Sequence, residues 1–100
     1  MSKITLIVNA TPNPDESEAL AYYSEYAGAI LKAHGGNLIG KYKIHGNITE
    51  QKLESNIMVM EFEDNSIVEA LNSGEVYQKL IPFRDKAFSK ISINFAENVS

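Results

Sequence analysis

The sequence predicts an α+β sandwich with the element order β-α-β-β-α-β, and three observations lead there. Period-two alternation of apolar residues opens and closes the chain, apolar residues at helical spacing fill two intervening stretches, and Gly or Pro stands at most junctions. From Lys3 to Ala10, Ile4, Leu6 and Val8 alternate with Thr5, Ile7 and Asn9, a β-branched pattern that reads as a strand. Pro12 and Pro14 then remove ladder donors and end it. Asp15 followed by Glu18 fits a capping box for a helix over Glu16 to Ala33. Its core stripe is Leu20, Tyr23, Ala27, Ile30, Leu31 and His34, and Gly35-Gly36 supplies the backbone freedom that a helix end needs.

A second strand is expected from Asn37 to Thr49, with Leu38, Tyr42, Ile44 and Ile48 as apolar members and Gly40 and Gly46 as bulge or turn positions. The polar run Thr49 to Asn56 connects it to a third strand, Ile57 to Glu63, apolar on both faces at first and hence central. Ser66 and Glu69 form another capping box, opening a helix with Ile67, Ala70 and Leu71 that Ser73-Gly74 interrupts. A further helical stretch carries Val76, Tyr77, Leu80, Ile81, Phe83 and Phe88, with Pro82 kinking it or opening a last turn. Ile91, Ile93 and Phe95 complete the final strand. With right-handed crossovers this order gives a four-stranded antiparallel sheet carrying both helices on one face, a ferredoxin-like fold. Both alternate sets of the first and third strands hold apolar residues. The sheet face away from the helices should therefore expose an apolar patch, and a homodimer through that face is the simplest cover.

Composition narrows the partners. One hundred residues, 44% of them hydrophobic, suit a single domain over 1–100 that needs no disulfide or metal staple. Without Cys there is no thiol nucleophile or zinc-thiolate cluster. A net charge of -4 repels phosphate backbones and anionic lipid, so neither nucleic acid nor membrane is expected as a partner. No span-length apolar run and no signal peptide after Met1-Ser2-Lys3 are read, which makes the cytoplasm the expected compartment. The third strand offers one aromatic and two carboxylates where RNA-binding domains of this topology carry basic and aromatic residues. The loop after the first strand has no arginine or glycines to cradle a phosphate, against acylphosphatase-like chemistry.

Tyr23 and Tyr26, the Ala33-His34-Gly35-Gly36 helix end, Glu61-Phe62, and Ser73, Tyr77 and Arg84 together resemble the domain of unknown function 1330 family, within the dimeric α+β barrel superfamily. The resemblance runs from about Lys3 to Glu97, and Ser73 and Tyr77 lie four apart where the family commonly spaces them by three. It implies a homodimer with two sheets face to face, in a superfamily of cofactor-free monooxygenases, haem degraders, lactone isomerases and stress proteins. The haem degraders carry a second-helix His and a nearby Trp; this chain has no Trp and no His from Ser66 to Phe88. His34 and His45 stand eleven apart in different elements without metal-ligand spacing, so neither cofactor nor metal is expected.

Three side chains are candidates for binding a ligand. Arg84, the chain's one arginine, suits a carboxylate, either a ligand's or that of Glu61; a structural salt bridge is the plainer role. His34 titrates in the range for acid–base work, or stabilises the end of its helix. Tyr77 brings a hydroxyl to a pocket, or fills the core with its OH at the rim. Tyr22 and Tyr26 make a second stripe with Ala19, Ala29 and Ala33, and Asn9 and Asn94 are expected side by side on neighbouring strands. The expected protein is thus a homodimer binding a small acidic or aromatic molecule between sheet and helices. A non-catalytic interaction or stress-response protein and a cofactor-independent monooxygenase or isomerase are the alternatives.

Overall fold

Alternation carries the first strand as far as Pro12, and the rest of the chain folds back on it. The computed structural model describes residues 3–52 and 55–100; the start of the chain and the middle of the 49–56 connection, both read from sequence above, include residues outside that range. The elements are β1 (Ile4–Pro12), α1 (Ser17–Ala33), β2 (Asn37–Lys43), β3 (Asn56–Phe62), α2 (Ser66–Asn72), α3 (Glu75–Gln78), α4 (Ile81–Ala87) and β4 (Phe88–Ala96). The strands form one antiparallel sheet in the order β2-β3-β1-β4. This is the ferredoxin-like arrangement that the element order predicts.

Register decides which alternate set faces the helices. Leu6 stands opposite Met60 and Phe95, and Val8 opposite Met58 and Ile93. Leu6, Met60 and Phe62 pack with Tyr23, Ala27, Ile67, Leu71, Tyr77 and Leu80 into one core, with Ile4, Val8 and Met58 against it. Ile7 and Val59, paired with each other, therefore point the other way, as do Asn9, Ile57 and Tyr42. The helices leave that second face bare.

Local expectations fail at five places, each for a readable reason. Neither capping box forms. Asp15 instead donates its backbone N–H to Asn13 Oδ1 at 3.0 Å, and before α2 it is Asp64 Oδ1 that accepts the Ser66 N–H, at 2.9 Å. An Asx turn two residues back satisfies a helix-end donor without Glu18 or Glu69. The second strand ends at Lys43, well short of Thr49. Asn47 gathers the following loop instead, its Oδ1 accepting the Thr49 and Gln51 N–H groups and the Thr49 hydroxyl while Nδ2 donates to the Gln51 carbonyl; Ile48 is left fully exposed. Pro82 takes the second of its two expected roles and opens α4 in its first turn, whereas Phe88, expected in the helical stretch, begins β4. Finally, Asn9 and Asn94 are out of register: Asn94 faces Ile7 and donates to its carbonyl at 3.1 Å and to Ser92 Oγ. The end of α1 follows expectation, with Gly35 at φ 77°.

Of the predicted α1 stripe, Tyr23 and Ala27 are buried, and Leu20, Ile30, Leu31 and His34 are half-buried. Ala19 joins the buried set. Tyr22 and Tyr26 lie outside, where Tyr22 stacks on Phe83 of α4 at 4.3 Å between ring centroids. No helix is long and apolar enough to cross a membrane among the described residues.

Candidate functional site

Between α1 and the covered face of the sheet lies a cavity of about 270 Å³. One wall is α1, through Tyr23, Ser24, Ala27, Gly28 and Leu31; the floor is Leu6, Val8, Met58 and Ile93; Tyr77 and Leu71 close the far side. The wall is thin because α1 spends small residues there. Ser24 and Gly28 are four apart and so lie one above the other on the helix, as do Tyr23 and Ala27 on the adjoining line.

Two tyrosines make the cavity's polar corner. Tyr23 comes from the middle of α1 and Tyr77 from α3, and their hydroxyls meet at 2.7 Å in the buried interior. The rings are held edge to face at 6.1 Å, and Phe88 meets Tyr23 edge-on at 5.7 Å, so neither phenol is free to swing. Behind Tyr77 stands Arg84 of α4. Its Nη1 donates to Tyr77 Oη at 3.3 Å, its Cζ lies 5.9 Å from the Tyr77 ring centroid, and its Nε is 3.4 Å from Asp85. Arg84 itself lines a second cavity of about 330 Å³ with Asn72, Asp85, Ile91 and Phe95. Tyr77 lines both chambers, as do Leu71, Ile91 and Ile93.

The protons in this corner can be counted. Arg84 donates to Tyr77 Oη, and one phenolic proton is used between the two tyrosines, so the other phenolic proton is left for an acceptor in a cavity. Both tyrosines line the cavity of about 270 Å³, so the proton left over, on either phenol, is available to an acceptor there. Burial, then the Tyr77 hydroxyl, holds the Tyr23 phenol well above its ordinary pKa, so it stays protonated and a donor. At Arg84 burial works against the charge. The Tyr77 oxygen and Asp85 outweigh it and leave the guanidinium pKa above its usual value.

Of the three sequence candidates, the fold brings Tyr77 and Arg84 together and places His34 elsewhere. His34 closes the C-terminal end of α1, its Nδ1 2.9 Å from Ser66 Oγ, and it lines neither chamber. Glu61, the other carboxylate considered for Arg84, pairs with Lys3 at 3.4 Å. Tyr23 was legible only as a core residue; nothing in its spacing marks a hydroxyl that will meet another 54 positions away. Lys41, which also lines the cavity between α1 and the sheet, carries no signal beyond being a charge on a strand. Among the described residues, no three His, Asp or Glu side chains gather as a metal site would require.

A search of curated proteins finds no match. Solved structures resemble the fold closely. The RPA0582 protein of unknown function from Rhodopseudomonas palustris superimposes with a TM-score of 0.71 at 15% identity, over 99% of this chain and 84% of that one. PA3566 from Pseudomonas aeruginosa gives 0.63 at 16% identity, over 100% and 97%. A dimeric ferredoxin-like protein of unknown function from Jannaschia sp. CCS1 gives 0.61 at 12% identity, over 96% and 99%. At such identities the likeness is one of fold. The sequence itself matches the model of a domain of unknown function (DUF1330) over residues 6–98, nearly its whole length, and the chain belongs to that family.

Proposed function

We propose that this chain acts as one domain, in the cytoplasm, as a homodimer that binds a small, mainly apolar molecule, aromatic or acidic, in the chamber between α1 and the sheet. The observation that carries the reading is the apolar cavity of about 270 Å³ with a spare phenolic proton at the Tyr23–Tyr77 corner. An apolar chamber with a few fixed polar groups is what small-molecule sites have in common. The spare proton selects a ligand with an oxygen acceptor, such as a carbonyl, a phenol or one oxygen of a carboxylate. Arg84 acts behind Tyr77 by polarising it, and His34 has no part in the site.

The test is a thermal-shift and calorimetric comparison of hydroxylated, carbonylated and carboxylated aromatics with their unsubstituted parents. Tighter binding of the oxygenated members, lost in Tyr23→Phe, supports the reading. Equal binding of parent and oxygenated compounds, or identical behaviour of Tyr23→Phe, overturns it.

The homodimer rests on a separate feature. Ile7, Ile57, Val59 and Tyr42 share the bare face, bordered by Thr5, Asn9, Asn94 and Glu61. An apolar centre with a polar rim is the usual make-up of a protein interface, and the Jannaschia relative of the same fold is a dimer. A second copy covers it without a further partner. Sedimentation at micromolar concentration checks this, with a mass of 11.1 kDa as the outcome against it.

A further inference from the structure

Lys41 sits where a strand pattern alone would put an apolar residue. It pairs with Met58, whose side chain packs on the covered side of the sheet, so Lys41 faces that side too while Tyr42 faces the other. It lines the cavity between α1 and the sheet, together with Val8 and Met58, and among the described lining residues it is the one that carries a charge. The same cavity is lined by the Tyr23–Tyr77 corner and, from α1, by Ser24 and Gly28.

Gly28 is the second part of the observation. A glycine inside a helix costs roughly 1 kcal/mol relative to alanine, which the protomer would avoid if packing allowed. Packing does allow it, since a Cβ built at Gly28 meets nothing within 4 Å. The missing side chain leaves room at the wall of the cavity.

Resting on the cavity-binding reading above, we propose that the ligand is an amphipathic anion. Its apolar body enters past Gly28 and its anionic group is held at the mouth by the Lys41 ammonium. Arg84 is excluded as the anion's partner by its place behind Tyr77 and beside Asp85. On a chain of net charge -4, Lys41 and the neighbouring Lys43 make this stretch of β2 a small positive patch in a repelling field, which favours a small anionic group there over an extended polyanion. Inward-facing lysines on edge strands also discourage strand pairing between molecules. A guard of that kind would alter aggregation and leave ligand selectivity untouched.

The test uses two fluorescent probes of nearly the same shape, anilinonaphthalene sulfonate and its uncharged parent N-phenylnaphthylamine, titrated into the full chain. The wild type should bind the sulfonate about tenfold more tightly than the parent, the size expected of one charge-assisted contact. Lys41→Gln should abolish that preference without changing the affinity for the parent, Lys41→Arg should keep it, and added salt should weaken it. Gly28→Phe should weaken both probes. If neither probe binds, or Gly28→Phe leaves both unchanged, the cavity reading itself fails and this proposal with it. If both bind equally in the wild type, or the preference survives Lys41→Gln, the cavity reading stands and the anionic ligand is overturned.

Discussion

Both faces of the sheet carry branched and apolar side chains and put them to different use. On the covered face, Leu6 and Phe62 are each 1% exposed, sealed by Ile67, Tyr77 and Leu80 from the helices. On the bare face, Ile7, Ile57 and Val59 remain only half-buried within one protomer, and Tyr42 is 55% exposed. The first set makes the fold; the second offers a contact. Stability within one chain and the proposed association between chains would therefore rest on alternate residues of the same strands, one position apart.

That separation can be broken from either side. The largest effect belongs to Phe62→Ala or Leu6→Ala, which removes a fully buried side chain and should cost about 3–5 kcal/mol by equilibrium urea unfolding. The loss should persist at every protein concentration. Val59→Lys, by contrast, should leave the far-ultraviolet spectrum of a folded chain while sedimentation reports 11.1 kDa. The wild type should also unfold at a concentration-dependent midpoint, and Val59→Lys should not. A bare-face substitution that unfolded the chain as Phe62→Ala does would show that the two faces are not separable.

Much of this architecture could be read from the sequence because it follows from period. Alternation placed Ile4, Leu6 and Val8 on one face and Ile7 on the other, and it needed no knowledge of partners. Helix ends were harder. Asp15 with Glu18 and Ser66 with Glu69 satisfy a spacing rule, but Asn13 and Asp64 reach the same donors first, and spacing cannot rank competing oxygens. The stretch after Lys43 looked like strand because Ile44 and Ile48 are β-branched; the Asn47 side chain spends three acceptor contacts on the loop and outweighs that propensity. The site was half legible. Tyr77 and Arg84 lie seven apart, within reach of a local reading, whereas Tyr23 and Lys41 join them only through the topology.

The chamber offers a smaller contrast, between its two tyrosines. Tyr77→Phe removes the acceptor of Arg84 and the partner of Tyr23 together, whereas Tyr23→Phe leaves the Arg84–Tyr77 bond in place. Unfolding should register the first as about 1–2 kcal/mol of lost stability and the second as about 1 kcal/mol or less. The binding of an oxygenated ligand should fall in both. Equal stability losses would mean that Arg84 contributes nothing through Tyr77. Smaller still, and opposite in sign, is Gly28→Ala, which should raise stability by about 0.5–1 kcal/mol because the methyl meets no neighbour and the helix gains propensity.

The smallest expected effect is at the turn that leads from β3 into α2, on the surface where the sequence rule failed. Asp64 accepts the Ser66 backbone N–H, and that bond, followed by one from the Ser66 side chain, holds its carboxyl below the ordinary Asp range, with His34 adding a minor favourable charge. A carboxyl whose pKa is lowered by folding stabilises the native state when ionised. Its contribution is present above the unfolded-state value of about 3.9 and disappears as pH falls through the lowered native value. Asp64→Asn keeps an acceptor oxygen but cannot titrate, so its melting temperature should trail the wild type at pH 7 and draw level with it in acid. Asp64→Ala loses the acceptor as well and should stay below both at neutral pH. Parallel melting curves for wild type and Asp64→Asn across that acid range would mean that the Ser66 contact does not distinguish the ionised carboxylate from a neutral acceptor, and the charge would then add nothing to the turn.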